Sequence, residues 1–316
     1  MADVLDITVQ VRAPATSANL GPGFDSLGLA WTVADCVTVT TVASGVVVEV
    51  SGEGAGELPD DETHLVVRGL AGACAEVGAP LPGLQLHCRN AIPQGRGLGS
   101  SAAAIVSGVL AGRALLEHGD QLLDDAAVLS LSARLEGHAD NVAACLLGGL
   151  TVAWATESGV RAVSQDVNLR AVLFVPPQVM STAEARDLLP ELVPHRDAVR
   201  TVGRAALLVA TLSSSVPSRD VLLAATQDWL HQPYRALAMP ESFALVAELR
   251  ASRVPAVLSG SGPSVLAFLI GADDPAERVR RYTPVGWGGH EVRVDQKGAR
   301  VRNLAAGLAA GMDGAR

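Results

Sequence analysis

The chain has 316 residues, of which 49% are hydrophobic and 18% charged, with a formal net charge of −9. That length and balance describe a globular protein with a large core and room for two domains. The acidic sum excludes a basic nucleic-acid-binding surface, and no run of about 18 apolar residues is present to span a membrane.

Phosphate binding stays open, because local backbone dipoles act inside an acidic protein. The basic side chains are almost all arginine, with Lys297 the only lysine, and arginine suits bidentate capture of carboxylates and phosphates. Cys36, Cys74, Cys88 and Cys145 form no C-x-x-C pair, so they are expected as free thiols in a reducing cytosol rather than as a zinc site. The acidic N-terminus lacks the apolar core of a signal peptide, and a cytoplasmic location is expected.

Along the chain, Ile7, Val9 and Val11 alternate with Thr8, Gln10 and Arg12 and predict a strand with one buried face. Residues 13–25 hold two prolines and two glycines, which predicts a loop. This loop carries Thr16, Ser17, Asn19 and Asp25 on a stiff backbone, a composition typical of functional loops. Strands are predicted over 27–32, 37–42 and 46–50, with a hairpin turn at Ser44 and Gly45. Residues 52–61 read as a solvated loop, Thr63 as the cap of a helix to about Val77, and 84–88 as a short strand.

That strand leads into Ile92-Pro93-Gln94-Gly95-Arg96-Gly97-Leu98-Gly99-Ser100-Ser101-Ala102-Ala103-Ala104. Glycines alternate at 95, 97 and 99 before an Ala-rich helical run to about residue 117. Such a turn points successive N–H groups into one concavity, and the helix behind adds unpaired N–H groups and its positive dipole end. Ser100 and Ser101 stand where a hydroxyl caps the helix, holds a phosphate oxygen or ligates a metal. A Walker A loop is excluded because no lysine follows the glycines, and the Rossmann fingerprint and nucleophile elbow do not match.

Asp124 and Asp125 precede a helix to about Glu136, and Glu136-Gly137-His138-Ala139-Asp140-Asn141 concentrates acid, imidazole and amide groups between apolar runs. A helix end followed by a new N-cap at Asp140 or Asn141 explains the same residues without chemistry. A hairpin is predicted over 151–163, a strand over 171–175, and a capping box at Ser181 and Glu184. Thr182 and Arg186 then share a helical face. Long helices are predicted over 196–213 and 219–230, and strands over 255–258 and 265–270, flanking a second glycine-rich turn at 259–264. A last strand over 291–294 and an Ala-rich C-terminal helix complete the chain.

Pro-x-x-x-Gly-Leu-Gly-Ser-Ser-Ala at 93–102 resembles the phosphate loop of the GHMP kinases. Pro-x-x-x-Ala-Asn-x-Gly-x-Gly-Phe-Asp at 14–25 and Glu-Gly-His-x-Asp-Asn-x-Ala at 136–143 resemble the motifs of homoserine kinases in particular, with Ala139 where many members have proline. The resemblance covers nearly the whole chain. It implies an α+β, two-domain GHMP kinase fold: a ribosomal-protein-S5-like domain over 1–165 and a ferredoxin-like domain over 166–316.

It also implies ATP-dependent phosphorylation of the L-homoserine side-chain hydroxyl, a step toward threonine. ATP phosphates are expected on Pro93, Gly95, Arg96, Gly97, Leu98, Gly99, Ser100, Ser101 and Ala102, and Mg²⁺ on Ser101 and Glu136. Homoserine is expected to meet Asn19, Asp25, His138, Asp140, Asn141, Thr182, Arg186, Arg235 and Gly260, with Asp140, Asn141 and Asn19 nearest the chemistry. Asp140 is left with two readings, general base or ammonium anchor. A homodimer is implied by the resemblance alone. A mevalonate- or sugar-type kinase and a non-catalytic sensor are the rival readings.

Overall fold

The computed structural model describes residues 2–214, 217–270 and 275–304. The first half supplies β1 (Thr8–Ala18), β2 (Leu27–Val42), β3 (Val46–Gly52), α1 (Leu65–Glu76), β4 (Gly83–Asn90), α2 (Ser100–Leu115), α3 (Gly119–Leu122), α4 (Asp125–Glu136), α5 (Asp140–Leu147), β5 (Leu150–Thr156) and β6 (Gly159–Gln165). The second half supplies β7 (Arg170–Val175), α6 (Thr182–Asp187), α7 (His195–Leu212), α8 (Arg219–Ala225), α9 (Gln232–Arg235), α10 (Pro240–Ala251), β8 (Ala256–Leu258), β9 (Val265–Leu269), α11 (Ala276–Arg280), β10 (Gly288–Arg293) and β11 (Arg300–Leu304).

Strands β11-β1-β2-β4-β3, with β5 pairing β2 and β6 pairing β5, make one seven-stranded sheet; β10-β7-β9-β8 make a second, antiparallel one. The order corrects the hairpin expected at Ser44 and Gly45. β4 lies between β2 and β3, antiparallel to the first and parallel to the second. Alternation marks a strand but does not name its neighbour, and α1 serves as the crossover that parallel pairing requires. β11 returns from the far end of the chain to pair with β1.

β1 also runs through Pro14, where a loop was expected. Its pairing with β11 ends at Arg12, and a register shift between Pro14 and Thr16 absorbs the proline. β2 is continuous across its predicted gap, and the buried Asp35 there accepts the N–H groups of Ala91 (2.7 Å) and Ile92 (3.0 Å) just before the glycine loop. α1 starts at His64 rather than Thr63: the His64 ring accepts the Val66 N–H. α8 stops at Ala225, short of its predicted end. Beyond it, Asp228 accepts the N–H groups of Leu230, His231 and Gln232 and starts α9 instead. The C-terminal helix expected from the Ala-rich tail lies outside the described residues.

The larger core joins the seven-stranded sheet to α1, α2, α4 and α5 around Trp31, Leu29, Leu70, Leu86 and Val106. The smaller core, around Phe174, Met239, Leu249 and Leu258, joins the second sheet to α10 and α11. α1 and α2 approach so closely that a Cβ on Gly108 would collide with the Val66 carbonyl, so glycine lets the middle of α2 lie directly on α1.

Candidate active site

A cleft of about 290 Å³ is lined by the glycine loop, the 19–25 loop, the α4–α5 turn, α6 and Arg235 of α9. One end is the glycine loop. Gly95, Gly97 and Gly99 have φ of 63°, 70° and 70°, the left-handed turn that lets successive N–H groups converge. α2 begins with Gly99 as its N-cap and no side-chain cap. The Ser100, Ser101 and Ala102 N–H groups therefore keep their capacity for an anion, on the positive end of a 16-residue helix.

The loop is held from behind. Leu98 O accepts from Thr16 N–H (3.0 Å) and Gly95 O from Met180 N–H (2.9 Å). A buried relay runs Trp31 Nε1 (2.8 Å) to Ser17 Oγ, then to Ser259 Oγ (2.6 Å), then to Gly97 O (2.7 Å). The indole only donates and the carbonyl only accepts, so every hydroxyl in the relay points the same way. Expected phosphate ligands divide accordingly. Pro93, Gly95, Gly97, Leu98, Gly99, Ser100 and Ser101 line the cleft. The Ala102 side chain is buried, which leaves only its backbone N–H for a phosphate. Arg96 departs from expectation: its guanidinium donates to the carbonyls of Gln94, Pro176 and Pro177 and ties the loop to the end of β7.

The wall beside the loop is Glu136, His138, Asp140 and Asn141, brought in by the end of α4 and the start of α5. Gly137 turns the chain out of α4 with φ of 91°. Ser101 Oγ donates to Glu136 Oε1 at 2.6 Å. His138 lies between two carboxylates, 3.9 Å from Glu136 and 3.7 Å from Asp140. Burial, above all, raises the Glu136 and Asp140 carboxyls above the usual carboxylate range; His138 and hydrogen bonds pull the other way. Asp140 does not cap α5 by side chain; its Oδ1 accepts the Asn141 N–H. Asn141 Oδ1 accepts from Thr16 Oγ at 2.7 Å, leaving its amide NH₂ for a ligand.

The far end carries the positive charge. Arg186 on α6 makes a two-pronged pair with Asp25, at 3.0 and 2.8 Å. Arg235 on α9 is 2% exposed, and no carboxylate of the described residues lies within ion-pairing distance of it. Its Nε donates to Ala185 O and its Nη1 to His231 Nδ1. Desolvation lowers its pKa to about 10, with Arg186 adding to the effect. Both guanidinium groups lie over the Phe24 ring, at 5.6 and 5.8 Å. Thr182 lines the cleft at the start of α6.

Asn19 lines the cleft with both amide ends engaged: Nδ2 donates to Gly260 O (2.9 Å) and Oδ1 accepts the Asp25 N–H (3.0 Å). Its first task is to shape the 19–25 loop. Gly260 meets that loop through its carbonyl, while its neighbour Ser261 lines the cleft. Phe24, His231 and the Ser17–Ser259 relay were not singled out from sequence. Only the four-residue spacing of His231 and Arg235 hinted at a shared helical face. A second cavity of about 270 Å³ adjoins the first through Leu65, Gln94 and Ser100 and is lined by Val37, Leu58, Val66, Ala104, Asp35 and Ser107 among others.

Residues 64–149, which span α1 through α5 and the turn after it, match the model of the GHMP kinases N terminal domain. A homoserine kinase of Streptomyces avermitilis is 50% identical over 301 residues, covering 94% of this chain and 97% of that protein. A crystal structure of homoserine kinase from Cytophaga hutchinsonii superposes with a TM-score of 0.77 at 27% identity, covering 95% of this chain and 99% of that one. L. major mevalonate kinase in complex with R-mevalonate shares the fold, with a TM-score of 0.68 at 14% identity over 94% of this chain and all of that one. The chain belongs to the homoserine kinases of the GHMP kinase superfamily.

Proposed function

We propose that the cleft binds the amino-acid end of L-homoserine on its arginines and aspartates and presents the side-chain hydroxyl to a phosphate on the glycine loop. The reaction class, phosphoryl transfer to an alcohol, follows from the family. One observation carries the residue assignments: Arg235 is a buried cation with no carboxylate partner among the described residues, facing the same cleft as Asp140 and the glycine loop. A buried charge left unpaired is costly, and a substrate carboxylate relieves that cost with charge-assisted hydrogen bonds.

Arg186 and Asp25 satisfy each other in the free protein. A zwitterion offers each a new partner, its carboxylate to Arg186 and its ammonium to Asp25 and Asp140. Asp140 acts as an ammonium anchor rather than a base, because a carboxylate beside a substrate cation is a weak proton acceptor. The hydroxyl proton then leaves with the transferred phosphoryl group. Asn141 NH₂ orients the hydroxyl. The N–H groups of 97–102 hold the β- and γ-phosphates, and phosphoryl transfer needs mainly such positioning and charge neutralisation.

The residues beside the loop fit a magnesium ion. Among the described residues no group of three or more acids, histidines or cysteines is placed to hold a metal ion by itself, and Mg²⁺ takes one or two protein oxygens with phosphates and waters. Ser101 Oγ and the buried Glu136 carboxylate supply those two. When bound, the ion neutralises phosphate charge. The second cavity, apolar and next to Ser100, suits the nucleoside of ATP. We place the domain division at about 165, with β11 crossing back into the first sheet, and the site in a reducing cytosol that suits the four free cysteines.

The test compares L-homoserine with its carboxylate-free analogue 2-amino-1,4-butanediol. The wild-type enzyme is expected to prefer homoserine by about 10²-fold or more in kcat/KM, and Arg235→Ala to erase most of that preference. An unchanged preference in Arg235→Ala would remove Arg235 from the carboxylate site.

A further inference from the structure

Arg235 serves a substrate only if its guanidinium is held still. His231 does much of the holding. Arginine has no acceptor, so at 2.8 Å from Arg235 Nη1 the His231 Nδ1 must be the acceptor. The proton then sits on Nε2, which donates to the Gly21 carbonyl at 2.7 Å. The ring, fully buried, also stacks on Phe24 with centroids 5.1 Å apart and planes 24° apart. Gly21 and Phe24 belong to the loop that carries Asn19 and Asp25. One imidazole thus joins two segments 210 residues apart that both face the amino-acid end of the cleft.

We propose that His231, as the neutral Nε2–H tautomer, is a positioning residue for the amino-acid substrate: it locks Arg235 and the 19–25 loop into the arrangement that receives the substrate carboxylate. The proposal rests on Arg235 being the carboxylate anchor. The charged groups around the ring agree with a neutral state. Burial pushes its pKa down to about 4; Asp228 opposes this, Arg235 adds to it, and Asp25 acts weakly upward. Asp228, 3.4 Å from Nε2, is engaged by three backbone N–H groups. Protonation would place a hydrogen on Nδ1 against Arg235 and break the lock.

The experiment is steady-state kinetics of the full-length enzyme with ATP and L-homoserine for His231→Phe, His231→Asn, Arg235→Ala and the His231→Phe/Arg235→Ala double variant. Phenylalanine keeps the stacking ring but accepts nothing; asparagine places an amide oxygen near the Nδ1 position. His231→Phe is expected to raise the homoserine KM about 10- to 100-fold, as for loss of a hydrogen bond to a charged group, with the ATP KM unchanged. His231→Asn should recover most of that loss. In the Arg235→Ala background His231→Phe should add less than about threefold, since coupled residues are not additive.

A rise of both KM values together, equal effects of Phe and Asn, or full additivity would leave His231 a mere packing residue and overturn the proposal. An unchanged homoserine KM in Arg235→Ala alone would overturn the carboxylate anchor itself, a distinct failure. Nitrogen NMR of the wild-type imidazole gives a readout that needs no variant. His231 should stay Nε2–H from pH 8 to about pH 5.5, and an Nδ1–H tautomer or a titration near the ordinary histidine value would overturn the proposal.

Discussion

Replacing Gly97 by alanine should cost more than the strain of its backbone. Its φ of +70° makes any Cβ unfavourable by about 1–2 kcal/mol. The new Cβ would also strike the Ser259 carbonyl and sit 2.7 Å from Gly262 O and 3.0 Å from Gly262 N. Those are backbone atoms of a turn closed by the Ser259 N–H to Ser264 O and Gly262 N–H to Ser259 O hydrogen bonds, so no side chain can swing aside. Overpacking of this kind costs about 1–3 kcal/mol more. For a chain of 316 residues the combined loss lowers Tm by roughly 3–7 °C. Gly56 is the control: its φ is +78°, with nothing within 4 Å of a Cβ. Gly56→Ala should lose only about 2–3 °C and keep its ATP KM. Gly97→Ala should raise the ATP KM by about tenfold or more, because the displaced loop no longer aims its N–H groups. Calorimetry and ATP titrations measure both. Equal Tm losses in the two variants with an unchanged ATP KM would refute the idea that the two glycine turns brace each other.

Asp140→Asn is expected to raise the homoserine KM by about 10²-fold or more while kcat falls less; a large kcat loss at constant KM would make Asp140 the base. Glu136→Gln should raise the Mg²⁺ concentration for half-maximal turnover about tenfold without moving the homoserine KM; an unchanged Mg²⁺ dependence would place the ion elsewhere. Asp35, buried and raised to about 6 from 3.8 chiefly by desolvation, favours the protonated form in the folded state. Its stabilising contribution is complete below about pH 4 and is lost as pH rises through about 6, a swing of about 3 kcal/mol. Asp35→Asn keeps an acceptor for the Ala91 and Ile92 N–H groups. Denaturant unfolding should therefore show the variant gaining on wild type by up to about 3 kcal/mol between pH 4 and pH 8; a pH-independent difference would contradict this.

Local chemistry in the sequence announced much of the site. Alternating glycines, the helix following Asp124 and Asp125, the Ser181–Glu184 capping box and the β5–β6 hairpin depend on neighbours a few residues apart. What escaped depends on distant partners. Nothing near Ser44 says that β4 will insert between β2 and β3, and nothing near Arg300 says that it will pair with Arg12. Pro14 read as a strand breaker because its position beyond the end of β11 is a property of the sheet. Arg96 sits in the middle of the glycine motif yet faces Pro176 and Pro177, since side-chain direction in a left-handed turn is not written in the spacing. His231 stands before a Pro-containing turn with no local signal of chemistry; its role arises from Gly21 and Phe24 on the opposite segment.

The most direct test is ADP release with Mg·ATP across a panel of acceptors: L-homoserine, D-homoserine, L-serine, L-threonine, mevalonate and galactose. The account predicts turnover selective for L-homoserine, with D-homoserine and mevalonate failing because neither can satisfy the arginines and aspartates of the cleft together. Turnover with mevalonate or a sugar, or ATP binding without turnover on any acceptor, would contradict it.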